Sequence, residues 1–70
     1  MTLTQCLQAN LRRLRHTQKL TQAEVAERAA IDYKDFQKLE TSTAINPKLK
    51  TLERLAKALK VDAAELLKRP

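Results

Sequence analysis

Only three residues, Ala30, Ile31 and Asp32, separate two short stretches whose apolar side chains recur at helical spacing, and that connection constrains the fold more than any other feature. The first stretch opens on Thr21-Gln22-Ala23-Glu24. This is a capping box, in which the threonine oxygen accepts the Glu24 N–H while the glutamate reaches back to the threonine N–H. Leu20 before the cap and Val25 after it can close a hydrophobic staple over that end. Val25, Ala26 and Ala29 then face inward, and the spacing predicts a helix over 22–29. Asp32 caps a second helix over 33–40, with Phe36 and Leu39 a turn apart on its inner side. So short a link sets the two helices at a steep angle, with Ile31 as the plug between them.

The remaining segments also carry the helical period. Leu3, Leu7, Leu11 and Leu14 form one stripe of a helix over 3–15, and Gln5, Gln8, Arg12 and Arg13 take its other face. After the polar loop from Thr41 to Asn46, Pro47 suits the start of a helix over 48–59, since the missing N–H is not needed there. Leu49, Leu52, Leu55, Ala56 and Leu59 would be buried; Lys50, Glu53, Arg54, Lys57 and Lys60 would be wet. Asp62 with Glu65 makes a box-like cap for a short helix over 63–67. The expectation is therefore an all-α, five-helix domain over 1–70, without internal repeat or linker. Composition agrees: there is no glycine, Leu and Ala are abundant, and two aromatic residues, Tyr33 and Phe36, are too few for a small β-barrel. A chain of this length buries only about 60% of its extended surface, so the core must be economical.

Charge narrows the function. The net charge of +6 favours an anionic partner such as nucleic acid. Residues 1–20 carry +4, residues 21–40 carry −2 and residues 41–70 carry +4, so the basic charge flanks the central helices. Cys6 is alone, which excludes an internal disulfide, and no spaced Cys and His set suggests a metal ligand. Cys6 and the lone His16 read as a packing residue and a helix-end cation or phosphate contact. Without glycine there is no phosphate-cradling loop, and no histidine stands at a spacing that would activate a nucleophile. The expectation is a protein without catalytic or metal residues, cofactor or small-molecule substrate. The sequence also lacks a membrane span or signal-peptide pattern, so a cytoplasmic protein is expected.

Leu11-Arg12-Arg13-Leu14-Arg15, Leu20-Thr21-Gln22-Ala23-Glu24-Val25-Ala26, Leu39-Glu40, Asn46-Pro47 and Leu52 to Val61 fall in order and without insertions. Together they resemble the helix-turn-helix domains of the phage repressor and Cro type, the xenobiotic-response-element family, over about residues 7 to 67. The resemblance implies a lambda-repressor-like, bacterial or phage-encoded transcription regulator, a repressor acting as a homodimer on palindromic double-stranded DNA. Its second helix would cross the backbone and its third would enter the major groove. Carried over by position, Tyr33, Lys34, Gln37 and Lys38 would read bases. Gln22, Arg12, Arg13 and the loop residues Thr41, Ser42 and Thr43 would meet phosphates. Arg15 and Glu40 would form a structural ion pair; Arg15 lies four residues after Leu11, at the border of the buried stripe. Ile45, Leu49, Leu66 and Leu67 would be the apolar contacts of the dimer. Three positions depart from the family pattern. Ala30 stands where glycine is usual, the loop after Glu40 lacks basic residues, and Asp32 and Asp35 lie on or beside the reading helix. The rival expectation is a protein-interaction module of the same fold, antitoxin-like or an oligomer appendage.

Overall fold

Capping boxes start the first two helices of the computed structural model, which describes residues 1–42 and 45–70. In α1 (Leu3–Thr17), Thr2 Oγ1 accepts the Gln5 N–H at 3.1 Å while Gln5 Oε1 accepts the Thr2 N–H at 2.8 Å. Thr21 and Glu24 do the same for α2 (Gln22–Ala29), at 3.1 and 2.9 Å. Asp32 Oδ1 accepts the Lys34 N–H at 2.9 Å and opens α3 (Tyr33–Thr41). After the α3–α4 loop come α4 (Leu49–Ala58) and the single turn α5 (Ala64–Leu67), and no strand occurs among the described residues. None of these helices is long and apolar enough to cross a membrane.

The helix ends share a device that the sequence points to only at Ala30, which stands where glycine is usual. Lys19, Ala30 and Lys60 take left-handed backbone angles, with φ of 57°, 56° and 57°. The residue after each, Leu20, Ile31 or Val61, returns its N–H to a carbonyl five residues back, at 2.9, 2.9 and 3.0 Å. These are Schellman closures, and each turns an apolar side chain onto the core. Thr21 and Asp32 then cap the next helix, and Asp62 Oδ1 receives the Ala64 N–H at 3.0 Å. The three-residue echo Lys19-Leu20-Thr21, Ala30-Ile31-Asp32 and Lys60-Val61-Asp62 therefore builds three turns of one shape. With a Cβ present, each left-handed residue costs roughly 1 kcal/mol.

Packing joins α1 to α3 and α5, and α2 to α3 and α4. Leu7, Leu11, Val25, Phe36, Leu55, Leu59 and Leu66 fill the centre. Two expected core leucines are outside it: Leu3 is 68% exposed and Leu49 77%. Each is the first residue of its helix, where the Cα–Cβ bond leans towards the N-terminus and carries the side chain past the end of the packed body. Ala58 joins the core and helps complete the α4 stripe. Pro47 lies outside α4, because Lys48 is still extended at φ −74° and ψ 154°. Glu65 does not reach back to Asp62; it pairs with Lys68 at 2.7 Å. Asn10, fully buried, donates from Nδ2 to Leu66 O at 3.0 Å and Lys68 O at 2.7 Å, fastening α5 to α1.

Candidate nucleic-acid interface

One stripe of α1 holds the end of α3. Gln8, Arg12 and Arg15 recur at helical spacing, and the Gln8 amide donates to Ser42 O while Arg12 Nη2 donates to Glu40 O at 2.9 Å. Arg15 takes the carboxylate itself, with Nε to Oε2 at 2.8 Å and Nη2 to Oε1 at 3.1 Å. Its remaining arm, Nη1, donates to Leu20 O at 3.0 Å in the α1–α2 turn. Gln22 Nε2 completes the cluster on Glu40 Oε1 at 2.9 Å. The Glu40 side chain is 1% exposed; two of the donors to its carboxylate come from Arg15 on α1, which is itself tied to the α1–α2 turn, and the third from Gln22 on α2, so both helices fix the angle of α3.

That anchoring leaves the other edge of α3 uncovered. Tyr33, 46% exposed, accepts the Gln37 Nε2 donor at 3.0 Å, which holds two of the four expected base-reading side chains as a pair. Lys34 and Lys38 are exposed on the same helix, and neither is ion-paired among the described residues. Gln22, Lys34, Gln37, Lys38 and Thr41 line one recess, of about 500 Å³. Asp35 lines a different one, on the far side of α3, with Ile31, Lys38, Ile45 and Pro47. Lys38 borders both. Asp32 is exposed, but its carboxylate is engaged with the Lys34 N–H at the helix start.

The expected phosphate-contacting residues are less free than the base-reading ones. Gln22 is committed to Glu40, Arg12 to the α3 terminus, and Arg13 Nη2 donates to Asn10 Oδ1 at 3.3 Å. Thr41 Oγ1 donates back to Gln37 O at 2.7 Å, and the Ser42 N–H donates to Lys38 O at 2.8 Å. Thr43 lies outside the described residues. Of the expected dimer contacts, Leu49 is exposed and Ile45 and Leu67 are partly buried against the core. Leu66 is fully buried under α1, so its side chain has no surface to offer another molecule. Sequence reasoning missed the α1 stripe because Gln8 and Arg12 read as a wet face. The signal was their spacing from Arg15.

Around the α3 edge the balance of charge is mixed. Lys34 and Lys38 are exposed on the same helix as the exposed Asp35, with Asp32 at its cap, while the exposed Arg12 reaches the far end of α3. Among the described residues no group of His, Cys, Asp and Glu could hold a metal ion, and Cys6 is a buried free thiol. Against known proteins, the model of a family described as a helix-turn-helix domain matches residues 7–68. No curated protein and no solved structure matches the chain.

Proposed function

The chain belongs to the helix-turn-helix domain family, and on that premise we propose that it is a transcription regulator that reads double-stranded DNA as a dimer on a palindromic operator. The observation that carries this reading is the α3 edge. Tyr33, Lys34 and Lys38 stand exposed, with Gln37 half-buried beside them, on a helix whose opposite side is clamped by Glu40. An exposed edge on a fixed helix is what insertion into a major groove requires, because readout fails if the helix can rotate. Lysine suits guanine O6 and N7, glutamine suits adenine, and the Tyr33 ring can meet a thymine methyl. Arg12 and Arg13 on α1 and the N–H groups at the start of α2 supply phosphate contacts beside it. A domain of this kind acts by occupying its site, so repression of cytoplasmic promoters is the simplest outcome.

A mobility-shift titration tests the reading. Retention of random duplex at low salt should fade by about 0.9 log units per decade of salt for each phosphate neutralised. Selection from a random pool should return half-sites one helical turn apart. One observation favours a second reading: residues 21–40 carry −2, and Asp35 borders an apolar recess with Ile31 and Ile45. That face would suit a protein partner, and absence of any duplex retention at low salt would select this reading.

A further inference from the structure

Arg28, Arg54, Lys57 and Lys60 rim a recess of about 560 Å³ between the ends of α2 and α4, floored by Ala29 and Ala58. No carboxylate lines it, and none of its residues belongs to the α3 edge. Cations near helix C-termini ordinarily complement the helix dipole and bond the last carbonyls. Here the last carbonyls are already taken by the backbone, which leaves the side-chain donors of these cations unused. Ala30 and Ile31 donate to Glu27 O and Ala26 O, and Lys60 and Val61 donate to Lys57 O and Ala56 O. Arg54 sits in the middle of α4, away from either terminus. Among the described residues none of the four cations is hydrogen-bonded or ion-paired. Arg28 feels the charge of Glu24 a turn back, but that carboxylate is held by the Thr21 N–H. Like charges gathered this way repel one another, and a bound anion would relieve the repulsion.

We propose that this recess binds a polyphosphate group. The guanidinium forks of Arg28 and Arg54 match phosphate oxygens in pairs, while Lys57 and Lys60 supply compact charge. The methyl floor gives a flat apolar bed, and the volume lies within the range of about 300–1,000 Å³ typical of small-molecule sites. The inference does not depend on DNA readout by α3. A nucleoside polyphosphate and the backbone of a nucleic acid offer the same chemistry, and the titration separates them.

The full chain, labelled with nitrogen-15, is titrated at low salt with inorganic tripolyphosphate, with a nucleoside triphosphate and with a short duplex, following backbone amides by NMR. With either free phosphate compound, saturable shifts confined to residues 28–30 and 54–60 are expected; the duplex should move α3 amides as well, so its effect on the recess is read at residues 28–30 and 54–60 alone. The double substitution Arg54→Ala with Lys57→Ala, both exposed, should weaken binding about tenfold without lowering the melting temperature of the free chain. Response to either free phosphate compound assigns a soluble ligand. Response to duplex alone, weakened by the same double substitution, assigns a nucleic-acid backbone. If no probe moves these amides, or the double variant responds like the parent, the site does not exist. A Lys34→Ala, Lys38→Ala variant should keep the recess response intact, and its duplex retention separately tests the reading of α3.

Discussion

Both oxygens of the Glu40 carboxylate are occupied, by Arg15 Nε on one side and by Arg15 Nη2 with Gln22 Nε2 on the other. Attraction between such buried charges roughly offsets the cost of taking them out of water, so the cluster fixes geometry more than it adds stability. Removing one partner is different, since it strands the other. Arg15→Ala should therefore lower stability by about 3 kcal/mol or more, seen as a fall in melting temperature of roughly 10 °C or more for a domain of this size. Replacing both, Arg15→Met with Glu40→Leu, should recover much of that loss and yet weaken DNA binding, because α3 then loses the carboxylate clamp and keeps only the Gln8 and Arg12 bonds to its last carbonyls. A double variant less stable than Arg15→Ala would refute the argument. Glu24 makes a weaker, titratable contribution. Its carboxyl lies below its ordinary value of 4.5, first because it accepts the Thr21 backbone N–H, then through the Thr21 side chain and the nearby Arg28 charge. A lowered folded-state value means the stabilisation is present above the unfolded-state pKa and lost as pH falls through the folded one. Thermal melts of Glu24→Gln should accordingly trail the parent at neutral pH and converge with it in acid below that ordinary value.

The helices themselves were legible in the residues, because caps and apolar period state them twice. Thr21 with Glu24 and Asp32 fix the starts of α2 and α3, and the expected ranges 22–29 and 33–40 agree with the observed ones to within a residue. What was not legible lies where a helix's first residue or a long polar side chain decides. Leu3 and Leu49 match the apolar period but lean off the core; Gln8, Arg12 and Asn10 look like wet-face residues but bond across to other elements. The base-reading assignment rested on position in the family pattern and has no further support inside the chain beyond exposure. At the turns Ala30 was legible as a residue standing where glycine is usual, while the same turn at Lys19 and Lys60 was not. Without glycine, the chain places Lys19, Ala30 and Lys60 in left-handed backbone three times. All three side chains are exposed, so substitution loses no packing. Glycine at each position should raise stability by roughly 0.5–1 kcal/mol. The three sites are separated along the chain, so the triple variant should approach their sum, a gain of some 10 °C in melting temperature at about 4–8 °C per kcal/mol. Loss of stability in Ala30→Gly would mean that the turn draws something from the alanine methyl that its exposure does not reveal.

The whole molecule measures 27 × 21 × 20 Å. A single α3 spans too few base pairs to specify a site among the many competitors in a genome, so useful discrimination needs two copies on adjacent half-sites. Those half-sites lie one helical turn, about 34 Å, apart on the same face of the duplex. Two bodies 27 Å long set at that spacing come within reach of each other's long side chains and little more. On the proposed reading, Leu49, 77% exposed at the start of α4, would be the apolar side chain that bridges them, while Ile45 and Leu67 are partly buried against the core and Leu66 is withdrawn into it. A contact of that extent falls well below the roughly 1,000 Å² of buried surface that a stable free dimer needs. Free chains should therefore sediment as monomers at micromolar concentration and pair when the duplex holds them side by side. Under this arrangement Leu49→Asp leaves binding to an isolated half-site unchanged but reduces cooperativity on the full palindrome by about tenfold, the effect of withdrawing one anchor side chain worth roughly 1–2 kcal/mol. Inserting half a helical turn between half-sites should abolish cooperativity in the parent as well, since it rotates the second copy to the opposite face. Equal affinity for both spacings would mean that the two copies never touch, and the exposure of Leu49 would then need another occupant.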